Sequence, residues 1–296
     1  MATAREIKRR IRSIKNIAKV TGALEAVSAS KVRRAQNQAL ASRAYTEAAQ
    51  QVLADLAVYQ GGELVHPLLD EREVKDDVLI ILLTSDRGLA GPYNTNIVRA
   101  AMNFARGLDA RVRYITVGRQ GRDAILRRGA HVVAEFTDMP GTPSVLDITA
   151  ISRAAMDDFL RGEIDDVYIA YTKFVNTLRQ EPILERLLPL RPMGDELRGE
   201  QRATAELRPL FSFEPDVEAV LEEILPRFTE VLLFQALLEA LASEHSARMV
   251  AMRSATENAN ALVDDLTLRF NKARQLAITS EMLDIVGGAE ALQQDT

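Results

Sequence analysis

The chain contains no cysteine and no tryptophan, and only 5% of its 296 residues are aromatic. Without cysteine there are no disulfides, no thiolate metal ligands and no thiol nucleophile. Only His66, His131 and His245 occur, too far apart in sequence to suggest a zinc site. No run approaches the ~20 apolar residues that span a bilayer; Val231–Leu238 is apolar but short. The N-terminus is basic but carries no apolar core segment, so no signal peptide is expected. No Gly-Lys pair occurs anywhere, which removes the Walker A phosphate loop. No Gly-x-Ser-x-Gly turn supports a Ser/His/Asp arrangement. The 47% apolar content is mostly Ala, Leu, Val and Ile, enough for a core and biased towards long helices.

The net charge of −5 hides an asymmetry. Residues 1–43 hold eleven Lys/Arg against Glu6 and Glu25, a segment of +9 on a remainder of −14. Such an end is built to meet something acidic, whether nucleic-acid phosphates or acidic protein loops. No aromatic precedes Tyr45, so base stacking is unavailable there.

Residues 3–58 contain no proline and one glycine, Gly22. Alternating steps of four and three from Ala4 meet apolar residues at eleven of sixteen positions, ending at Leu56. The stripe fails at Thr21, Glu25 and Ser28, where Ile17, Val20, Leu24 and Val27 carry a neighbouring one, so a phase shift is expected. Gly61-Gly62 would end this helix of about 80 Å. A second walk from Phe228 to Ser280 finds twelve apolar positions of sixteen. Pro226 suits its first turn, or a kink if the helix begins near Asp216, and Gly287-Gly288 would stop it. Two matched helices at the ends of one chain predict an antiparallel coiled coil, with a helical-bundle core as the alternative. The pairing would bring Ile7–Ile14 close to the last turns of the C-terminal helix.

The middle alternates strands and helices. Val78–Thr84, Val112–Val117, His131–Phe136, Val167–Phe174 and Leu184–Pro189 read as strands. Asn94–Arg106, Gln120–Arg128 and Ser144–Arg161 read as helices, with Ser144 as an N-cap. The order predicts a parallel, doubly wound, Rossmann-like α/β domain. The expected divisions are 1–60 for the N-terminal coiled-coil helix, 75–192 for the α/β domain, 193–215 for a loop or foot, and 216–290 for the C-terminal helix.

Candidate chemistry is sparse. The turn Ser85–Gly91 lies where a Rossmann phosphate loop would, but Gly88 and Gly91 do not make G-x-G-x-x-G, and a structural turn fits better. Asp86 and Arg87 are expected to pair locally. The acidic doublets Asp76-Asp77, Asp157-Asp158, Asp165-Asp166, Glu222-Glu223 and Asp264-Asp265 are expected on solvated faces, since neighbouring side chains diverge. His245, on the apolar stripe, suits a core position that sets helix register. Arg274, Gln275, Thr279 and Glu281 make a polar group near the end of the last helix, either a solvated flank or a partner surface. No catalytic, cofactor or metal residues are identified.

Three separated motifs nevertheless carry a resemblance. They are Ile7–Ile17 (IKRRIRSIKNI) with Val27–Lys31, Thr84–Gly91 (TSDRGLAG) with Asn94–Asn96, and SEHSARMVAMRSATENA at 243–259 followed by NKARQLAITSEMLDIVGGAEAL at 271–292. Together they resemble the gamma subunit of F-type ATP synthase over nearly the whole chain. The resemblance implies a non-catalytic rotor: an antiparallel coiled coil within a ring of alpha and beta subunits, and an α/β domain against the epsilon subunit and the c-ring. Ion-driven rotation would cycle the catalytic sites through ATP synthesis, or hydrolysis in reverse. It implies peripheral attachment at the cytoplasmic face of a bacterial membrane, no bound cofactor and no nucleic acid. Ile7, Lys8, Arg9, Arg248, Arg274, Gln275, Thr279 and Glu281 match positions facing the alpha and beta subunits. Phe211, Phe213 and Glu214 match the side facing the c-ring and epsilon. Thr21-Gly22-Ala23-Leu24 stands where the family has Lys and Met, and the plant-type cysteine insertion is absent. A Rossmann-like nucleotide enzyme and a basic coiled-coil nucleic-acid binder are the competing readings.

Overall fold

The computed structural model describes residues 4–59, 66–190 and 217–294. The expected foot at 193–215, Phe211, Phe213 and Glu214, and the Gly61-Gly62 stop lie outside the described residues. The chain divides into two compact units, one of residues 1–28 with 249–296, the other of residues 29–248.

The first unit pairs two helices, the start of α1 (Ala4–Tyr59) and the end of α5 (Val217–Gln294). Ile7, Thr21 and Ser28 of α1 are buried, as are Met252, Ala259, Val263 and Leu266 of α5. The hydroxyls of Thr21 and Thr256 meet at 2.7 Å. From that pair the buried positions run back along α1 to Ile7 and forward along α5 to Leu266, so the helices are antiparallel. The expected phase shift is absent. Ile17, Val20 and Val27 are more than half exposed, while Thr21 and Ser28 stay in the seam. The four-three spacing survives because Thr21 satisfies its hydroxyl on the carbonyls of Ile17 and Ala18 and on Thr256.

Counting outward from Thr21 and Thr256 sets Ile7–Ile14 opposite Val263–Phe270, not opposite the last turns of α5. Every described side chain from Arg274 to Val286 is exposed. The last turns therefore extend past the start of α1. Nor does Gly287-Gly288 stop α5, which continues to Gln294. A glycine costs a helix only ~1 kcal/mol, and Ala289, Glu290, Ala291 and Leu292 are good helix formers.

The second unit is built on a five-stranded sheet ordered β3-β2-β1-β4-β5. Its strands are β1 (Asp77–Leu83), β2 (Arg111–Val117), β3 (His131–Phe136), β4 (Asp166–Phe174) and β5 (Gln180–Leu188). The first four run parallel, as expected, but β5 is antiparallel to β4. The link 175–179 is far too short for a crossover, which needs about a dozen residues, so it closes a hairpin instead.

The central strand β1 is buried on both faces. Val78, Ile80 and Leu82 pack with Ile97, Val98 and Ala101 of α2 (Tyr93–Arg106) and Ile125 of α3 (Arg119–Leu126). Leu79, Ile81 and Leu83 share the opposite core with Ile148, Ile151 and Phe159 of α4 (Val145–Leu160) and with Leu233, Ala236, Leu237 and Ala240 of α5. Ser144 caps α4 in a reciprocal box with Asp147. Pro226 falls inside α5, as the earlier start requires.

Candidate functional site

A doubly wound sheet binds ligands in the crevice at the carboxyl ends of its strands. Here that crevice is occupied by the chain itself. After β1, Ser85 donates its amide to Asn94 Oδ1 at 3.0 Å and its hydroxyl to the Arg87 carbonyl at 2.7 Å. Asp86 does not pair with Arg87 as expected. Its carboxylate accepts the backbone amides of Arg119 (3.1 Å) and Asp138 (3.0 Å), tying together the ends of three strands. At the start of α3 the backbone presses onto β1: a Cβ at Gly118 would lie 2.3 Å from the Thr84 carbonyl oxygen, and one at Gly121 would lie 2.6 Å from the Thr84 hydroxyl. There is no room there for a phosphate.

From α5, Arg248 closes the loop. It forms an ion pair with Glu244 at 2.7 Å, both side chains only 12% exposed. Its Nη2 donates to the carbonyls of Arg87 (3.2 Å) and Gly88 (3.3 Å), and its Nε donates to Gly88 at 3.3 Å. Beside them Tyr93, buried, donates its hydroxyl to the Ala240 carbonyl at 3.1 Å. Burial raises the Glu244 carboxyl above its usual range, opposed by Arg248. His245 is pushed down to about 4, first by burial and then by Arg248 and Lys31. It sits in the core as expected, 6% exposed. His66 caps a short turn through Nδ1 to the Leu68 amide, and His131 is exposed at the head of β3.

The acidic doublets near the amino ends of the strands are not solvated as expected. Asp165 accepts the amides of Asp76 and Asp77 and the Arg72 guanidinium, each at 2.9 Å. Asp166, 2% exposed, pairs with Lys75 at 3.0 Å. A cleft of about 720 Å³ opens beside them, lined by Asp77, Arg111, Arg113, His131 and Glu163 among others. Its arginines pair with Asp77, so it presents no uncompensated charge of one sign. No group of three potential metal ligands occurs among the described residues.

The residues expected at partner surfaces fall into three sets. Ile7 is buried in the helix seam, where an apolar side chain serves the pairing of α1 and α5. Arg248 is engaged within the chain. Lys8, Arg9, Arg274, Gln275, Thr279 and Glu281 are exposed. Arg274 lies 6.0 Å over the Phe270 ring, and Thr279 donates to the Gln275 carbonyl at 3.0 Å. Gly22 has open space around it: a Cβ there would meet nothing within 4 Å. Sequence reasoning missed Glu244 and Tyr93. The i, i+4 spacing of Glu244 and Arg248 was a visible signal for the first; nothing in the sequence pointed to the second.

The fold is shared with chains of ATP synthase structures. A chain of the central stalk and c-ring structure of the Tetrahymena thermophila mitochondrial ATP synthase superposes on it with a TM-score of 0.62 and 21% identity, over 80% of this chain and 99% of that one. A chain of the Euglena gracilis mitochondrial ATP synthase superposes with a TM-score of 0.57 and 17% identity, over 92% and 95%. The family described as ATP synthase matches residues 3–292. ATP synthase gamma chains of Dehalococcoides mccartyi and of a Roseiflexus species are 49% and 46% identical, each over 99% of this chain and all of their own length. The chain belongs to the ATP synthase gamma-chain family. No helix among the described residues is long and apolar enough to cross a membrane.

Proposed function

We propose that the chain is the central rotor shaft of an F-type ATP synthase, peripheral to the cytoplasmic face of a bacterial membrane. It turns with an ion-driven c-ring inside a ring of alpha and beta subunits. Each rotor angle stabilises one conformation of each catalytic site by differential contact, so ATP is made and released in sequence. The observation that carries this reading is the end of α5. Leu276, Ile278, Met282, Leu283, Ile285 and Val286 are all about half exposed or more, and their spacing places them on one half of the helix. An exposed apolar helix face of this size is one to be covered by a partner.

Arg274, Gln275, Thr279 and Glu281 add polar contacts to that enclosed end. Lys8 and Arg9 belong to the basic start of α1, which suits acidic loops of the catalytic subunits. Ile17, Val20 and Val27 add an exposed apolar face to the same stretch. Phe211, Phe213 and Glu214 face the c-ring and the epsilon subunit. Residues 1–60 and 216–290 form the shaft, 75–192 its α/β domain and 193–215 its foot. The shaft carries no catalytic site and binds no nucleotide, cofactor or nucleic acid. Reconstitution tests this: the isolated chain hydrolyses no ATP, and adding it to its alpha and beta subunits raises ATPase activity. Activity equally high without it would refute the reading.

A further inference from the structure

The crevice that a doubly wound sheet offers to a ligand is here plugged by an ion pair from a helix. Leu233, Ala236, Leu237 and Ala240 of α5 share an apolar core with the sheet, made with small or flexible side chains. Such a surface resists separation, but burial of apolar area alone sets no particular rotation of α5 about its own axis. Directional bonds are supplied at Ala240, Glu244 and Arg248, which succeed one another at i, i+4 and i+8 along one side of α5.

The Arg248 guanidinium is a planar fork. Nη1 is held by Glu244, while Nε and Nη2 reach the Arg87 and Gly88 carbonyls. All of these bonds are met together at only one rotational setting, and a lysine, with a single ammonium, cannot replace the fork. The loop is equally constrained from its own side, since Asp86 and Ser85 bind it to α2, α3 and the segment after β3.

We propose that Arg248, anchored by Glu244, is a positioning residue that keys α5 to the sheet, so that torque passes between the α/β unit and the helix without slip. The proposal rests on the rotor reading, and it gives Arg248 a task inside the chain in place of one at a partner surface. Glu244 acts only through Arg248.

The test uses the complete complex in vesicles, reading ions pumped per ATP hydrolysed. Arg248→Gln and Glu244→Gln each lower that ratio by about fivefold, the low end of an ordinary coupling free energy. The double variant falls no further than either single one, and Arg248→Lys falls with Arg248→Gln. Rescue by lysine, additive losses, or a Glu244→Gln complex with an unchanged ratio would overturn the proposal, because each describes a point charge meeting a separate surface. Failure of the rotor reading is distinguishable: the parent chain itself would then support no pumping.

For variants that do not assemble, the full chain provides a second measurement, since it has no cysteine of its own. Nitroxides at Asn103→Cys on α2 and Glu223→Cys on α5, both exposed, report the setting of the helix. Loss of Arg248 or of Glu244 broadens the distance distribution; a width equal to that of the parent would overturn the proposal.

Discussion

At the scale of single residues, the buried polar groups of α5 are the informative ones. His245 is surrounded by Glu244 and Arg248 on its own helix and by Lys31 on α1. Its folded-state value, about 4, lies below the ordinary 6.5, so the unfolded chain takes the proton first as the pH falls. The stabilisation is therefore complete above pH 6.5 and is lost progressively down to about 4, amounting to roughly 3 kcal/mol for this largely buried group. Glu244, displaced upward, opposes part of the loss. Urea unfolding of the parent chain and of His245→Gln across that range isolates the contribution. The parent loses stability more steeply towards low pH, and parallel profiles would contradict the assignment.

At the scale of elements, the four-three walk located both long helices and their seam residues, because small or apolar groups at that spacing face one way. It erred where a seam position held a hydroxyl: polarity at Thr21 and Ser28 suggested a shift, whereas Thr21 satisfies itself on carbonyls of its own helix and both side chains are small enough to stay buried in the seam. The parallel run of the first four strands was legible in the alternation of β and α segments. The reversal at β5 lay in the shortness of the link 175–179, a signal of distance rather than of pattern. The clamp at Arg248 depended on tertiary approach, which no local pattern encodes. The end of α5 yields a prediction of its own. Truncation after Ala273 removes a stretch whose described side chains, from Arg274 to Val286, are all exposed, so thermal unfolding of the chain shifts by no more than a degree or two, while stimulation of ATPase by the truncated chain drops severalfold. A large fall in melting temperature would show that the end is part of the folded pair instead.

At the scale of the whole molecule, composition and role agree. Alanine-rich, aromatic-poor helices suit a narrow seam, where bulky side chains would force the axes apart. The basic first forty-three residues on an otherwise acidic chain suit a surface whose counterpart is another protein. A crevice filled by its own side chains suits a domain that transmits force instead of binding a ligand. These features converge on rotation. The most direct measurement fixes the alpha and beta subunits to a surface and attaches a visible probe to Arg106→Cys, an exposed position on α2 in a chain with no other cysteine. Added ATP turns the probe in one direction, and withdrawal of ATP stops it. A complex that hydrolyses ATP while the probe stays fixed would contradict the account.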